Sequence, residues 1–216
     1  MNLQKKFSEN DLNRIKAAVR EAESKISGEI VPVIVGKSGH YTIANYKASL
    51  FASTLVFMLI IFFDRYVPEL AVYDPLMIFL IVLVAGAAGA AAATYSGWIR
   101  RMLLTQQHLD NATRQRAENA FLEEEVFNTR HRTGIMIFIS FFEHEVIVMA
   151  DTGISKVVEQ KEWDKIVNIL TENIRKDKIV EGLEIALKRC GDILLEKGFR
   201  IEADDKNELR DDLRIN

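Results

Sequence analysis

The sequence is poor in several residues on which common catalytic and structural sites depend. Its single cysteine, Cys190, excludes an internal disulfide and a C-x-x-C redox motif. There is no glycine-rich phosphate loop and no G-x-S-x-G nucleophile motif. The four histidines lack the spacing of a zinc site: His40, His108, His131 and His144. No catalytic constellation is recognisable, and a formal net charge of −3 gives no reason to expect nucleic-acid binding.

Charged residues are also absent from two long stretches in the middle of the chain. Ala48–Phe63 is sixteen residues long and Leu76–Trp98 is twenty-three, and neither contains Asp, Glu, Lys or Arg. The second stretch exceeds the roughly 18 residues that a membrane-spanning helix needs, and the first reaches that length if its helix begins near Ala44. We expect a transmembrane helical hairpin in a lipid bilayer. The alternative is a pair of buried core helices.

The cations that flank these stretches predict an orientation. Lys37 and Lys47 precede the first stretch, whereas Arg100 and Arg101 follow the second. The connecting loop holds one cation against three carboxylates. Because cytoplasmic flanks collect Lys and Arg, we expect a multi-pass membrane protein with both termini in the cytoplasm.

Small residues recur at intervals of four in the second stretch, at Gly89, Ala93 and Gly97. This spacing lets two helix backbones approach closely in lipid. The partner is either the first stretch, at Ala48 and Ala52, or a second copy of the chain. The sequence does not choose between packing within the hairpin and a homo-oligomer through this face.

Hydrophobic periodicity outside the hairpin predicts an α/β fold. The expected order is helix, strand, membrane hairpin, helix, strand, strand and two helices, with a mixed sheet. Residues 1–42 and 100–200 should fold together around the inserted hairpin of residues 43–99. Residues 201–216 form an acidic tail that we expect to be poorly ordered. The elements are predicted at 8–27, 29–35, 105–129, 135–142, 145–150, 155–175 and 179–197.

The strand ends carry the only candidate site. Asp151 follows a predicted strand and precedes a helix, and Glu29 opens the first strand. Carboxylates at such positions hold hard cations, so Asp151 with Glu29 is a candidate site for Ca²⁺ or Mg²⁺ or for a phosphate ester. Alternatively, Asp151 only caps the following helix. The basic run Arg130–Arg132 is expected to contact helix C-terminal carbonyls rather than a bound anion.

Several segments resemble one known family. They are SGEIVPVIVGKS from Ser27, RAENAFLEEEVFNTRHRTGIMIFISFFEHEVIVMADTGI from Arg116, Trp163, GLEIALKRCGDIL from Gly182 and KNEL from Lys206. Together they resemble the TPM-domain family, in its bacterial branch with a membrane hairpin inside the domain. The resemblance covers nearly all of the chain outside the apolar stretches, and T-x-x-R-T-G-I-M-I-F-I-S and A-D-T-G-I are its most specific motifs.

The resemblance implies an α/β/α sandwich and two classes of function. Some members of the family are weak acid phosphatases or divalent-cation binders, and others are accessory factors of membrane complexes. Members with phosphatase activity carry an Asp-rich segment before the first helix, where this chain has Lys5, Lys6 and Phe7. The sequence therefore favours a membrane-anchored binding or assembly module for a membrane complex. The alternative is a weak divalent-metal-dependent phosphatase acting on phosphate monoesters.

Overall fold

The computed structural model of the chain describes residues 6–201 and 207–215. The chain divides into two compact units. Met1–Ser38 and Asp110–Asn216 form the first, here called the α/β unit, and Gly39–Leu109 form the second, the hairpin unit. The chain thus passes between units at Ser38 and Asp110, whereas the sequence placed these boundaries near residues 42 and 100.

The described residues form eight α-helices, a short 3₁₀ turn at Pro68–Leu70 and four strands. The helices are α1 (Glu9–Glu23), α2 (Thr42–Tyr66), α3 (Pro75–Tyr95), α4 (Gly97–Leu103), α5 (Gln106–Glu123), α6 (Thr152–Ser155), α7 (Gln160–Arg175) and α8 (Ile179–Glu196). The strands are β1 (Glu29–Val35), β2 (Gly134–Ser140), β3 (Glu145–Ala150) and β4 (Arg214–Ile215).

The four strands form one mixed sheet in the order β3-β2-β1-β4. β1 pairs in parallel with β2, and Val33 lies opposite Phe138. β3 returns antiparallel to β2, with Ile147 opposite Phe138. The predicted α/β fold, with its parallel crossover and its antiparallel return, is confirmed.

Helix α1 begins where the sequence predicts, because Ser8 and Asp11 form a capping box across its first turn. The Asp11 backbone N–H donates to Ser8 Oγ at 3.2 Å, and the Ser8 backbone N–H donates to Asp11 Oδ2 at 3.0 Å. Two otherwise unpaired donors are satisfied in this way. The buried face of α1 carries Ile15, Val19 and Ala22, at the helical spacing read from the sequence.

The sheet is covered on both faces, which makes the α/β unit a three-layer sandwich. Every residue of β1 is buried. Ile30 and Ile34 face a core shared with α1, α7 and α8. Val31 and Val33, which point the other way, face a smaller core under α5. A strand buried on both faces reads as a continuous apolar run rather than as an alternation, as this one does.

The C-terminal residues differ from the prediction. Residues 207–215 pack along the α/β unit, and β4 adds in parallel to β1 with Arg214 opposite Val33. The Arg214 guanidinium pairs with Glu124 at 2.7 Å, and both side chains are largely buried. The prediction of a poorly ordered tail is therefore wrong for these residues. The remaining positions of that prediction, 202–206 and 216, lie outside the described residues.

The acidic side chains of this C-terminal segment hold it against helix α1. Asp211 is buried and pairs with Arg20 of α1 at 2.5 Å. Asp212 pairs with Lys16 one turn earlier on the same helix, at 2.7 Å. The acidic composition that suggested disorder is thus matched by cations on α1.

The hairpin unit packs α2 against α3 through small residues. A Cβ on Gly89 would lie 2.6 Å from the Ala48 carbonyl oxygen, so only glycine allows this approach. Ser53 Oγ donates to the Val82 carbonyl at 3.2 Å in the same contact. The face that contains Gly89 and Ala93 is therefore used within the hairpin, and a homo-oligomer through it would require α2 to be displaced.

Candidate functional site

The predicted site residue Asp151 caps helix α6 and binds an arginine. Its Oδ1 accepts the Thr152 backbone N–H at 2.6 Å, as a helix cap does. The Arg132 guanidinium donates to the same oxygen at 3.0 Å and lies 2.7 Å from Oδ2. The expectation that the run Arg130–Arg132 contacts helix carbonyls is wrong for Arg132, because its side chain pairs with this carboxylate.

The second predicted residue, Glu29, is buried and holds the C-terminal segment. Its two carboxylate oxygens accept the backbone N–H groups of Glu208 and Leu209, at 2.9 and 3.3 Å. Burial raises the pKa of Glu29, and these two hydrogen bonds act in the opposite direction. Glu29 therefore anchors residues 207–215 over the start of β1.

Glu29 and Asp151 lie at the same edge of the sheet but not beside each other. Glu29 is in register with Gly134 of β2, and Asp151 donates its backbone N–H to the Gly134 carbonyl from the other side. Because strands are spaced by about 4.8 Å, the two backbones are about 10 Å apart. Among residues 6–201 and 207–215, no three His, Cys, Asp or Glu side chains converge as metal ligands. Both carboxylates are engaged by other groups of the chain, so a Ca²⁺ or Mg²⁺ ion shared between them stays a prediction.

Beside Glu29 the structure reveals an acid that the sequence did not single out. Glu23, in the last turn of α1, borders a cleft of about 200 Å³ together with Arg20, Glu29 and Asn207. Its Oε1 accepts the Ile30 backbone N–H at 2.8 Å. Burial raises the pKa of Glu23 to about 8, and the nearby Glu29 carboxylate adds to the shift. No spacing in the sequence marks this residue, because the cleft forms only when the C-terminal segment is in place.

At the opposite end of the sheet, a buried serine has a carboxylate partner. Ser140 Oγ donates to Glu143 in a short hydrogen bond and accepts one from Ser38 Oγ at 2.8 Å. The other Glu143 oxygen accepts the Ser38 backbone N–H at 3.0 Å. Ser140 and Glu143 are both buried, so no substrate reaches this hydroxyl. The cluster ties the end of β1 to the β2–β3 turn, at the point where the chain leaves for the hairpin unit.

A pair of carboxyls, Glu145 and Asp110, lies next to this cluster. Burial, together with a hydrogen bond between the carboxyls of Glu145 and Asp110, raises the pKa of Glu145. The Thr113 hydroxyl also bonds this carboxyl and favours its charged form. Two carboxyls in contact are stable when they share one proton. This pair therefore connects the N-terminal part of α5, at Asp110, to the start of β3, at Glu145.

A groove crosses the outer surface of the α/β unit between α1 and α8. It has a volume of about 380 Å³, and its lining includes Ala18, Ile185 and Leu195. Arg14 and Glu184 form a two-point ion pair across it, at 2.9 and 2.8 Å. The groove therefore combines an apolar floor with a charged rim, which is the composition of a protein-binding surface.

The two long helices of the hairpin unit expose a largely apolar surface. Thr42–Tyr66 and Pro75–Tyr95 are both long and apolar enough to cross a membrane, and only 6% and 11% of their most apolar windows are buried. They are therefore not core helices of this unit. Their outward side chains are large and apolar, among them Leu55, Phe57, Met58, Phe79, Leu83 and Val84.

Comparison with known proteins supports the fold and adds nothing on activity. No protein-family model matches the chain, and no curated protein does. The chain is similar to the NMR structure of the BA42 protein from the psychrophilic bacterium Bizionia argentinensis, with a TM-score of 0.59 and 17% sequence identity. That similarity covers 97% of this chain and 95% of the other. It shows a shared fold, while the resemblance to the TPM-domain family stays a prediction.

Proposed function

We propose that this chain is an integral membrane protein whose α/β unit serves as a binding or assembly module for a membrane protein complex. The observation that carries the proposal is the two-helix hairpin, because its outward surface is apolar along two membrane-length helices. Exposed apolar surface of this extent is stable in lipid and promotes aggregation in water. The cation distribution favours the cytoplasmic side for the α/β unit, and the resemblance to the bacterial branch of the TPM-domain family favours a bacterial inner membrane.

The internal use of the carboxylates at the sheet ends supports a binding role over a catalytic one. Asp151 is occupied by Arg132 and its cap, and Glu29 by two backbone N–H groups. A divalent-metal-dependent phosphatase, the competing function, would need these carboxylates to converge on one ion. The groove between α1 and α8 offers instead a surface suited to a protein partner.

Cysteine labelling tests the membrane placement directly. The native Cys190 is fully buried in α8, and burial raises the pKa of its thiol to about 12, so it will not react. A membrane-impermeant maleimide should label Glu69→Cys, in the α2–α3 loop, on intact cells. Lys25→Cys, at the end of α1, should be labelled only after the membrane is opened. Equal labelling of both variants on intact cells would contradict the proposed topology.

Photo-crosslinking in native membranes tests the binding role. A photoreactive side chain at Ile185, in the groove, should give a discrete adduct with a second membrane protein. The matched control is Leu122, an exposed apolar position on α5. If neither position gives an adduct in membranes that label correctly, the topology stands and the assembly role fails.

A further inference from the structure

Cations are concentrated at one end of the hairpin unit, where exposed aromatic side chains accompany them. The contact between Gly89 and Ala48 fixes α2 and α3 as antiparallel neighbours, so the start of α2 lies beside the end of α3. Both helix ends, with the short α4 that follows, carry exposed aromatic rings or cations. These residues are Tyr46, Lys47, Tyr95, Trp98, Arg100 and Arg101.

Helix α4 presents an apolar face that the unit leaves uncovered. Ser96 interrupts α3 with an extended backbone, φ −106° and ψ 108°, and its Oγ caps α4 by accepting the Ile99 N–H at 3.4 Å. Trp98 and Met102 are four residues apart on the new helix and therefore share one face. Each is 74% exposed. A tryptophan and a methionine so exposed on a helix next to two spanning segments are typical of a helix lying in the membrane interface.

Two cations at this end donate hydrogen bonds to backbone carbonyls. Arg100 donates to the Ala93 and Thr94 carbonyls at 3.1 and 2.6 Å, and Lys47 donates to the Leu103 carbonyl at 3.1 Å. These acceptors are neutral, so they fix the position of each cation without compensating its charge.

The charge of the two ends is strongly asymmetric. Residues 39–63 and 75–109 contain no Asp or Glu, so this end of the hairpin unit carries Lys47 and Arg100 without an acid of its own. All three carboxylates of the unit lie at its other end, in the last turn of α2 with Arg65 and in the loop that follows. An anionic membrane surface is the partner whose charge complements such an arrangement.

We propose that α4 lies in the membrane interface and that this end of the hairpin unit selects anionic phospholipids. Trp98 and Met102 enter the boundary between headgroups and acyl chains, while Lys47 and Arg100 attract the anionic headgroups. The proposal rests on the membrane placement proposed above. It adds which lipid surrounds the protein and which residues choose it.

Lipid-specific fluorescence quenching of the full-length protein tests this selection. The chain has two tryptophans, and Trp163 is buried at 4% exposure in the α/β unit. The difference between wild type and Trp98→Phe therefore isolates the signal of Trp98. The protein is reconstituted into vesicles with equal amounts of phosphatidylcholine and phosphatidylglycerol. In each preparation only one of the two lipids is brominated, near the headgroup end of its acyl chain.

The expected result is preferential quenching of Trp98 by brominated phosphatidylglycerol. One cation near an anionic surface is worth about fivefold in lipid occupancy, so a difference of about twofold or more should be measurable. The double variant Lys47→Gln with Arg100→Gln should reduce the preference to near equality. Arg65→Gln, which removes a cation at the other end of the hairpin unit, should leave it unchanged.

A second reporter separates this proposal from the membrane placement itself. Phe57→Trp, in the Trp98→Phe background, places a tryptophan in the middle of α2, where bromine deep in the acyl chains should quench it. If this reporter is quenched while Trp98 is not quenched by either lipid, α4 is outside the interface and the inference fails alone. Equal quenching of Trp98 by both lipids overturns the selection of anionic lipid. If neither tryptophan is quenched, both proposals fail.

Discussion

Replacing Glu23 by glutamine should stabilise the α/β unit at alkaline pH. Glu23 lies in the last turn of α1, at the negative end of the helix dipole, and burial raises the pKa of its carboxyl to about 8. Its ordinary pKa is 4.5. Glutamine has the same shape and keeps a carbonyl oxygen that can accept the Ile30 N–H, but it carries no charge.

The direction follows from proton linkage. Between pH 4.5 and about 8, the folded chain holds a proton on Glu23 that the unfolded chain has lost, so stability falls as pH rises through this window. Each pKa unit corresponds to about 1.4 kcal/mol, which sets an upper limit of about 5 kcal/mol on the cost of ionised Glu23. Because Glu23 borders an open cleft, water will relax part of this cost. We expect Glu23→Gln to gain about 2–3 kcal/mol at alkaline pH and little at acidic pH.

Denaturant unfolding in detergent measures this difference. In a Trp98→Phe background, Trp163 of the α/β unit is the sole tryptophan and reports unfolding of that unit. Curves at pH about 5 and about 8.5 are compared with those of Glu21→Gln, an exposed acid on the same helix whose loss should cost almost nothing. If Glu23→Gln is less stable than its parent at both pH values, Glu23 is ionised in the folded chain and the reasoning fails.

Three further outcomes follow from close contacts and from the occupied carboxylates. Gly134→Ala should lower the free energy of unfolding by about 2–4 kcal/mol in the same assay, because the new Cβ would overlap the backbone carbonyl of Val126. An unchanged midpoint would mean that the start of β2 and Val126 are not held in close contact. Gly89→Leu should lower the thermal midpoint of the protein in detergent by separating α2 from α3, while Ala88→Leu, on the exposed face, should not; equal effects would refute the packing. Calorimetric titration with Ca²⁺ or Mg²⁺ should give the same heat for Asp151→Asn as for wild type, and a saturable heat lost in the variant would restore the phosphatase hypothesis.

Much of the fold could be predicted from the sequence because its signals are local. The capping box of Ser8 and Asp11 lies within one turn, and β1 is a continuous apolar run between Gly28 and Gly36. The predicted bounds of β1 agree with the observed strand, Glu29–Val35. Helix α5 is shorter than predicted and ends at Glu123, because the chain turns at Glu125, which has a positive φ of 53°. Nothing in a charged, helix-compatible stretch signals that stop.

The tail shows why the rest could not be predicted. Its acidic composition favours disorder, and a two-residue strand is too short to produce an alternating pattern. What orders it is a set of partners 78 to 196 residues away along the chain, in α1, in β1 and in the segment that follows α5. Pairing at such a distance depends on the folded sheet being present first, so it leaves no local signal.

The same reasoning applies to the candidate site. The position of Asp151 between a strand and a helix made both a metal ligand and a cap reasonable, because both functions place a carboxylate there. Arg132 pairs with Asp151 from a left-handed backbone conformation, with φ at 56°. A run of basic residues in the sequence does not indicate that conformation. Once Arg132 compensates Asp151 and the tail occupies Glu29, the polar groups at this edge hold the fold together. The proposed binding role then depends on two other surfaces, the groove on the α/β unit and the apolar exterior of the hairpin unit.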